Sequence, residues 1–306
     1  MLISIIVNYM SLNQLSFSVY DCFTQERFGG NVGVIVWNAE SLSTEQMQKI
    51  AREFNAPVTG YVTSNKNNLV SARFFMPNSE IAMCGHVTIG MFTDLVKNES
   101  KTYNSFTLDV NAGKIEVNVD KKNKTLPLVM FKLNLPIPVK IDLDILSIAK
   151  ALQVDFKDIC PLSPIGVFDT GLKHLFVNFL NKKQIIDISP NYDELKNICT
   201  MYGIQTIACF AFESSKHLKV IKIRDFCPSL GVNETPASGT TNGALAAYLL
   251  ANKLIESKTQ RIIANQGIEI GRPSKIITEI EINAGQIKKL KVGGSAIENF
   301  FGKINI

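Results

Sequence analysis

Phe17, Val19 and Asp21 open a run at strand spacing that closes at Phe28-Gly29-Gly30-Asn31, a turn. A second strand is expected at residues 32–37. Over residues 43–54 the period changes. Met47, Ile50, Ala51 and Phe54 recur at helical spacing, and Thr44 is placed to cap the helix they predict. Further strands are expected at Tyr61-Val62, 70–75, 106–110 and 114–119, with an apolar helix running from Cys84-Gly85-His86 toward Val96. The second half repeats the plan: strand 174–179, helix 192–202 with Leu195, Ile198 and Cys199 on one face, and strands 207–212 and 220–226. An apolar helix then opens at Gly239 and ends near Leu254, and strands follow at 262–265 and 276–282.

The two loop–helix junctions are alike. Ala82-Met83-Cys84-Gly85-His86 lines up with Pro236-Ala237-Ser238-Gly239-Thr240, and half the chain separates Cys84 from Ser238. A repeat at half-length predicts two homologous halves with pseudo-two-fold symmetry; the alternative is a chance likeness of two glycine-led helices. The expected organisation is an N-terminal domain at 15–132, a C-terminal domain at 133–290 and a closing strand region at 291–306, whose return to the first domain stays open. Residues 133–140, with Pro136 and Pro138, form the expected linker.

Composition narrows the class. The chain has 306 residues, 46% of them hydrophobic and 19% charged, which is globular and large enough to need no disulfide or metal staple. A net charge of +5 without a concentrated Lys/Arg block argues against nucleic acid as a partner, and Lys121, Lys122 and Lys124 read as a solvated turn. Cys22, Cys84, Cys160, Cys199, Cys209 and Cys227 form no CxxC pair, so neither a zinc site nor a disulfide framework is expected, and a reduced, cytoplasmic protein is. Residues 1–10 are apolar but too short to span a bilayer, and they lack a signal peptide's basic start and cleavage site. Met10 offers an alternative start.

A helix N-terminus presents free N–H groups and the positive end of a dipole. Two such ends at one cleft could hold a carboxylate and stabilise an enolate-like state, with Gly85 and Gly239 permitting close backbone approach. Cys84, at one helix start, is expected to have a lowered pKa and to serve as a base beside a carboxylate; the plain alternative is a buried, inert thiol. His86 is a second catalytic candidate or else a structural histidine. Glu80 and Glu234 meet a substrate ammonium or brace their loops. Asp21 and Asn31 are expected to brace the first hairpin.

Six ordered segments resemble the phenazine-biosynthesis PhzF-like family. They are Tyr20-Asp21-Cys22-Phe23-Thr24 with Phe28-Gly29-Gly30-Asn31; Glu80 through Cys84-Gly85-His86-Val87-Thr88; Thr170-Gly171 with His174; Glu234 through Ala244; Gln266-Gly267 with Gly271-Arg272-Pro273-Ser274; and Val292-Gly293-Gly294. The resemblance spans roughly residues 16–304. It implies an α+β fold of two pseudo-symmetric domains of the diaminopimelate-epimerase type, each a mixed sheet curled around a central helix. It also implies an active site between them, a homodimer, no cofactor and no metal.

The departures fall at chemically decisive places. The position of the family's proton-moving Glu is Val58, that of its Asp is Thr235, and that of its Ser is Thr240; His86 is retained. The loops also resemble diaminopimelate epimerase and proline racemase, with Cys84 at the first catalytic cysteine and Ser238 at the second. The expected site therefore has Cys84, His86 and Ser238 as catalytic residues, and Glu80, Gly85, Glu234, Gly239, Thr240 and Thr241 as substrate-binding ones. The expected activity is a cofactor-independent isomerase or epimerase moving a proton at carbon on a small carboxylate. A one-base dehydratase and a small-molecule binder without catalysis remain as alternatives.

Overall fold

Residues 14–97, 103–161, 163–213, 219–256 and 261–306 are described by the computed structural model; residues 1–10, including the alternative start at Met10, lie outside them. The first half comprises β1 (Gln14–Cys22), β2 (Asn31–Val36), α1 (Thr44–Phe54), β3 (Val58–Lys66), β4 (Leu69–Phe75), β5 (Glu80–Ile81), α2 (Gly85–Leu95), β6 (Tyr103–Val110), β7 (Gly113–Asp120) and β8 (Leu128–Leu133). β9 (Ile137–Val139) extends the first half, and the second comprises α3 (Ile145–Leu152), β10 (Gly166–Asp169), β11 (Lys173–Asn178), α4 (Lys182–Ile186), α5 (Tyr192–Tyr202), β12 (Thr206–Phe212), β13 (Lys219–Cys227), β14 (Val232–Thr235), α6 (Gly239–Ala251), β15 (Arg261–Gln266), β16 (Ser274–Asn283), β17 (Gln286–Gly294) and β18 (Ala296–Asn305).

The strand pairings repeat between the halves, sense for sense. β1–β2 is antiparallel, β2–β3 parallel, β3–β4 and β4–β5 antiparallel, β4–β6 parallel, β6–β7 and β7–β8 antiparallel. The series β10–β11, β11–β12, β12–β13, β13–β14, β13–β15, β15–β16 and β16–β17 has the same senses in the same order. The halves then exchange strands. β8 pairs with β17, β9 crosses to β10, and β18 returns to lie antiparallel to β1. The architecture is therefore α+β with two pseudo-symmetric halves, and the closing strand belongs beside β1.

Each half wraps its sheet around one central helix. Val87 through Thr93 of α2 and Thr241 through Leu249 of α6 are buried without a break, so neither helix has a polar face. Both contribute to one continuous core with Phe74, Phe131, Ile223 and Val292. Asp94 fastens α2 to the sheet, accepting hydrogen bonds from Ser18, Tyr20 and Trp37 at 2.8–3.0 Å. By contrast α1 is amphipathic. Only Met47 and Ala51 are buried, and they pack with Val34, Val36 and Phe75 on the sheet's outer side.

Several local expectations need correction. Ser43, not Thr44, caps α1: it accepts from the Gln46 amide at 3.2 Å while the Gln46 side chain accepts from Ser43 N–H at 2.9 Å. The helix α6 ends at Ala251, short of Leu254, and the expected linker contains the end of β8 and all of β9. Lys121 is not solvated. It is buried, and its ammonium donates to the Val96 carbonyl at 2.6 Å, where it meets the negative end of α2.

Candidate active site

The two helix starts converge on one aromatic ring. A Cβ on Gly85 would lie 2.8 Å from Phe131 Cζ, and a Cβ on Gly239 would lie 3.1 Å from the same atom. Both positions need glycine because Phe131 on β8 fills the space between the junctions. The start of β2 links them too: Asn31 Nδ2 donates to the Ala237 carbonyl at 3.2 Å, and the Val32 carbonyl faces the His86 ring. Cys84 and Ser238, the residues just before these glycines, thus flank the same ring.

Cys84 caps α2 in an extended conformation and is 6% exposed. Its Sγ lies 3.3 Å from His86 Nδ1. Burial pushes the thiol up to about 12, and the neighbouring Val87 and His86 amides offset this only in part. Burial also lowers the half-buried His86 to about 4, with the Val32 carbonyl opposing. The expected thiolate is therefore corrected: desolvation outweighs the helix dipole, and the resting couple is a neutral thiol beside a neutral imidazole. A ring N–H directed at Val32 leaves the other ring nitrogen as an acceptor for the thiol proton.

Ser238 caps α6 in nearly the same backbone conformation as Cys84. Its Oγ accepts from the Thr241 amide at 3.2 Å and lies 3.2 Å from Thr240 Oγ1. Ser238 and Thr240 are half-buried, but Thr241 is fully buried and turns its hydroxyl inward, toward Asp225 and His174. Thr241 was expected to bind substrate; it instead supports Ser238 from beneath.

Residues 20–302, which hold both junctions, match the model of the phenazine biosynthesis-like protein family, PhzC-PhzF. The chain belongs to this family. An uncharacterized isomerase of Clostridium acetobutylicum is 31% identical to it over 286 residues, covering 92% of this chain and 94% of the relative. The trans-2,3-dihydro-3-hydroxyanthranilate isomerase of Pseudomonas chlororaphis is 27% identical over 280 residues, covering 91% and 95%. A solved PhzF-family structure from Bacillus anthracis superimposes with a TM-score of 0.83 at 22% identity, covering 96% of this chain and all of that one.

In this PhzC-PhzF protein the two candidate glutamates are engaged by arginines. Glu80 takes Arg73 at 2.7 and 2.8 Å and Asn111 at 2.9 Å. Glu234 takes Arg224 at 2.7 and 3.0 Å, and the charged groups of both residues are nearly sealed from solvent. Arg73 stacks on Phe75 and Arg224 on Phe226, so the halves repeat even this detail. The arrangement makes both glutamates loop braces. Asp21 braces the first hairpin, accepting from the Phe28 amide at 2.6 Å and from Arg272 at 2.7 Å, whereas Asn31 reaches across to the second junction. Val58 is buried at the first residue of β3 and holds no proton. Among the described residues no three His, Cys, Asp or Glu side chains are grouped to hold a metal ion, and no helix is long and apolar enough to cross a membrane.

Sequence reasoning missed the polar cluster beneath Ser238, made of Asp225, His174, Thr206 and Thr241. The available signal was an aspartate at the alternate position that follows Ile221 and Ile223, on the apolar face of its strand.

Proposed function

We propose that this chain is a cofactor-independent isomerase that moves a proton at a carbon beside the carboxylate of a small substrate. The observation that carries this reading is the convergence of two helix starts on Phe131, one bearing the Cys84–His86 couple and the other Ser238. The amides at Gly85-His86 and Gly239-Thr240 hold the carboxylate and stabilise the enolate-like state. Cys84, protonated at rest, delivers its proton to one face of the carbon, and His86, 3.3 Å from its Sγ, orients the thiol as hydrogen-bond acceptor. Ser238 faces the other side. Thr240 and the two glycines shape the pocket. The named substrate of the Pseudomonas relative is not carried over, because Val58 and Thr235 stand where that family's proton-moving Glu and its Asp would be. The reading includes a homodimer, for which the exposed Phe300 and Phe301 of β18 offer apolar surface, and a reducing cytoplasm, which suits six unpaired cysteines.

The test is deuterium wash-in, followed by NMR, across amino acids and cyclic hydroxy acids in D2O. Cys84→Ala should lower the rate about 10²–10⁴-fold, the usual cost of one positioned acid–base group. Cys199→Ala, at a thiol packed in the α5 core, should leave it nearly unchanged. Unchanged turnover in Cys84→Ala would remove Cys84 from the mechanism. A second reading, a binder without catalysis, is favoured by the buried Val58; binding of these acids with no wash-in for any of them would establish it.

A further inference from the structure

The pseudo-symmetry relates two clusters of opposite character. In the first half Gly33 pairs with Val58 across β2–β3, Gly60 pairs with Phe74 across β3–β4, and Val87 of α2 packs against Gly33 and Gly60. All of these are apolar. Applying the same registers to the second half replaces Gly33 by His174, Val58 by Thr206, Phe74 by Asp225 and Val87 by Thr241. An apolar contact under Cys84 thus corresponds to a polar network under Ser238, and the position of Val58 has its counterpart in that network.

The network is connected and closed. Thr241 Oγ1 lies 2.6 Å from Asp225 Oδ2, 2.9 Å from Ser238 Oγ and 3.2 Å from His174 Nδ1. Thr241 has one hydroxyl proton, and the carboxylate is the strongest acceptor within reach. Its oxygen is then free to accept the Ser238 proton. Asp225 is fully buried, and its Oδ1 has no hydrogen-bond partner among the described residues.

Building on the proposed isomerase reading, we infer that Asp225 is the terminal proton acceptor for Ser238, reached through the Thr241 hydroxyl. The step balances. The substrate C–H bond breaks and its proton passes to Ser238 Oγ, the Ser238 proton passes to Thr241 Oγ1, and the Thr241 proton passes to Asp225 Oδ2. The negative charge moves from the carboxylate to the enolate-like substrate held at the helix amides. Ser238 is the group that touches substrate; Thr241 and Asp225 act through it. This supplies the base that Ser238 lacks by itself, opposite the protonated Cys84.

The surroundings suit the task. Burial raises Asp225 to about 7, with Glu234 on β14 adding to the rise and the Thr241 and Thr206 hydroxyls opposing it. The other groups around it are His174 on β11, Cys209 on β12, Cys199 on α5, and Arg224 and Cys227 on its own strand. Arg224 is spent on Glu234, and burial holds His174 down at about 3, so it stays neutral. Asp225 is therefore the group of this cluster that changes charge near neutrality.

Two measurements test the relay. The first needs no substrate: the Asp225 side-chain carboxyl is followed by 13C NMR against pH, assigned by its loss in Asp225→Asn. It should titrate within about a unit of neutrality, and higher still in Thr241→Val, which keeps the shape and removes the hydroxyl. A carboxyl that stays ionised down to pH 5 overturns the relay. The second is wash-in against pH. Asp225→Asn and Thr241→Val should each lose about 10²-fold or more at pH 7 and lose the rising limb of the profile. Thr241→Ser should recover what Thr241→Val lost. Wild-type rates and profile in Asp225→Asn and Thr241→Val overturn the relay even if Cys84→Ala is dead. Absence of wash-in from the wild-type protein sinks the isomerase reading instead, and the titration alone then decides the relay.

Discussion

His86 and Asp225 mark the two sides of the site with opposite electrostatic signs. His86 is held near 4, below its ordinary 6.5, because burial penalises the imidazolium. Between those values the unfolded chain binds a proton that the folded chain refuses. The stability linked to His86 is therefore fully present above pH 6.5 and is lost as the pH falls toward 4. His174, held to about 3, has the same sign over a wider window. Asp225 has the reverse: raised from 3.8 to about 7, it contributes stability below pH 3.8 that is lost as the pH rises through 7. Because the windows overlap, the contributions must be separated by difference. His86→Gln should show a shallower loss of stability than the wild type from pH 6.5 to 4 in urea titrations, and Asp225→Asn a shallower loss from pH 4 to 7. Parallel curves in either case would mean that group titrates as it does in the unfolded chain. Little of this was legible in the sequence. The helix-start position of Cys84 pointed to a thiolate, but burial in the common core, a long-range consequence of the fold, decided the thiol's state.

At the scale of elements, the repeated Arg–Glu braces allow a controlled comparison. Arg73–Glu80 on β4–β5 keeps its charged groups about a quarter exposed (28% and 24%), while Arg224–Glu234 on β13–β14 is nearly sealed (7% and 1%). Replacing Arg224 by Met strands a buried carboxylate and also removes the donor to the Ile188 carbonyl at 2.6 Å. It should cost about 3–5 kcal/mol. Replacing Arg73 by Met should cost about 1 kcal/mol or less, because water screens the remaining glutamate. Equal costs, read from chemical denaturation, would contradict the burial argument. Four of the helices were legible, since α1, α2, α5 and α6 each carry a clear period or a continuous apolar run after a capping or glycine signal, whereas the short α3 and α4 were not expected. The strands β8, β10, β14 and β17 were not, because their residues pair across the halves or in short ladders that local alternation does not announce. Ser43 displaced Thr44 as the cap of α1 for a similar reason: only the reciprocal bond with Gln46 distinguishes them.

At the scale of the molecule, the internal repeat was readable from two five-residue junctions, and the return of the closing strand region stayed open, but the pairings that tie the halves together were not legible. β9 leaves the first half to pair with β10, and β18 leaves the second to pair with β1 over residues 14–22. These crossings pair residues as far apart as Gln14 and Asn305, so no local pattern could specify them. They also make the first half's stability depend on the last residues of the chain. β18 covers one edge of β1, its Asn299 donates to the buried Asp21, and its Glu298 pairs with Lys97 at 2.6 Å beyond the end of α2. A chain ending at Ser295 would leave β1 as an open edge with unpaired backbone groups, and would loosen the hairpin that presents Asn31 to the second junction. Hydrogen exchange should then show residues 14–36 losing protection by at least tenfold, while β11–β13, whose pairings are untouched, keep theirs. The shortened chain should also lose wash-in activity, since Asn31 and Val32 connect the Ala237 and His86 sides of the site. Uniform loss of protection across both halves would instead show that they unfold as one cooperative unit. Unchanged protection at β1 would show that β2 alone suffices to hold it.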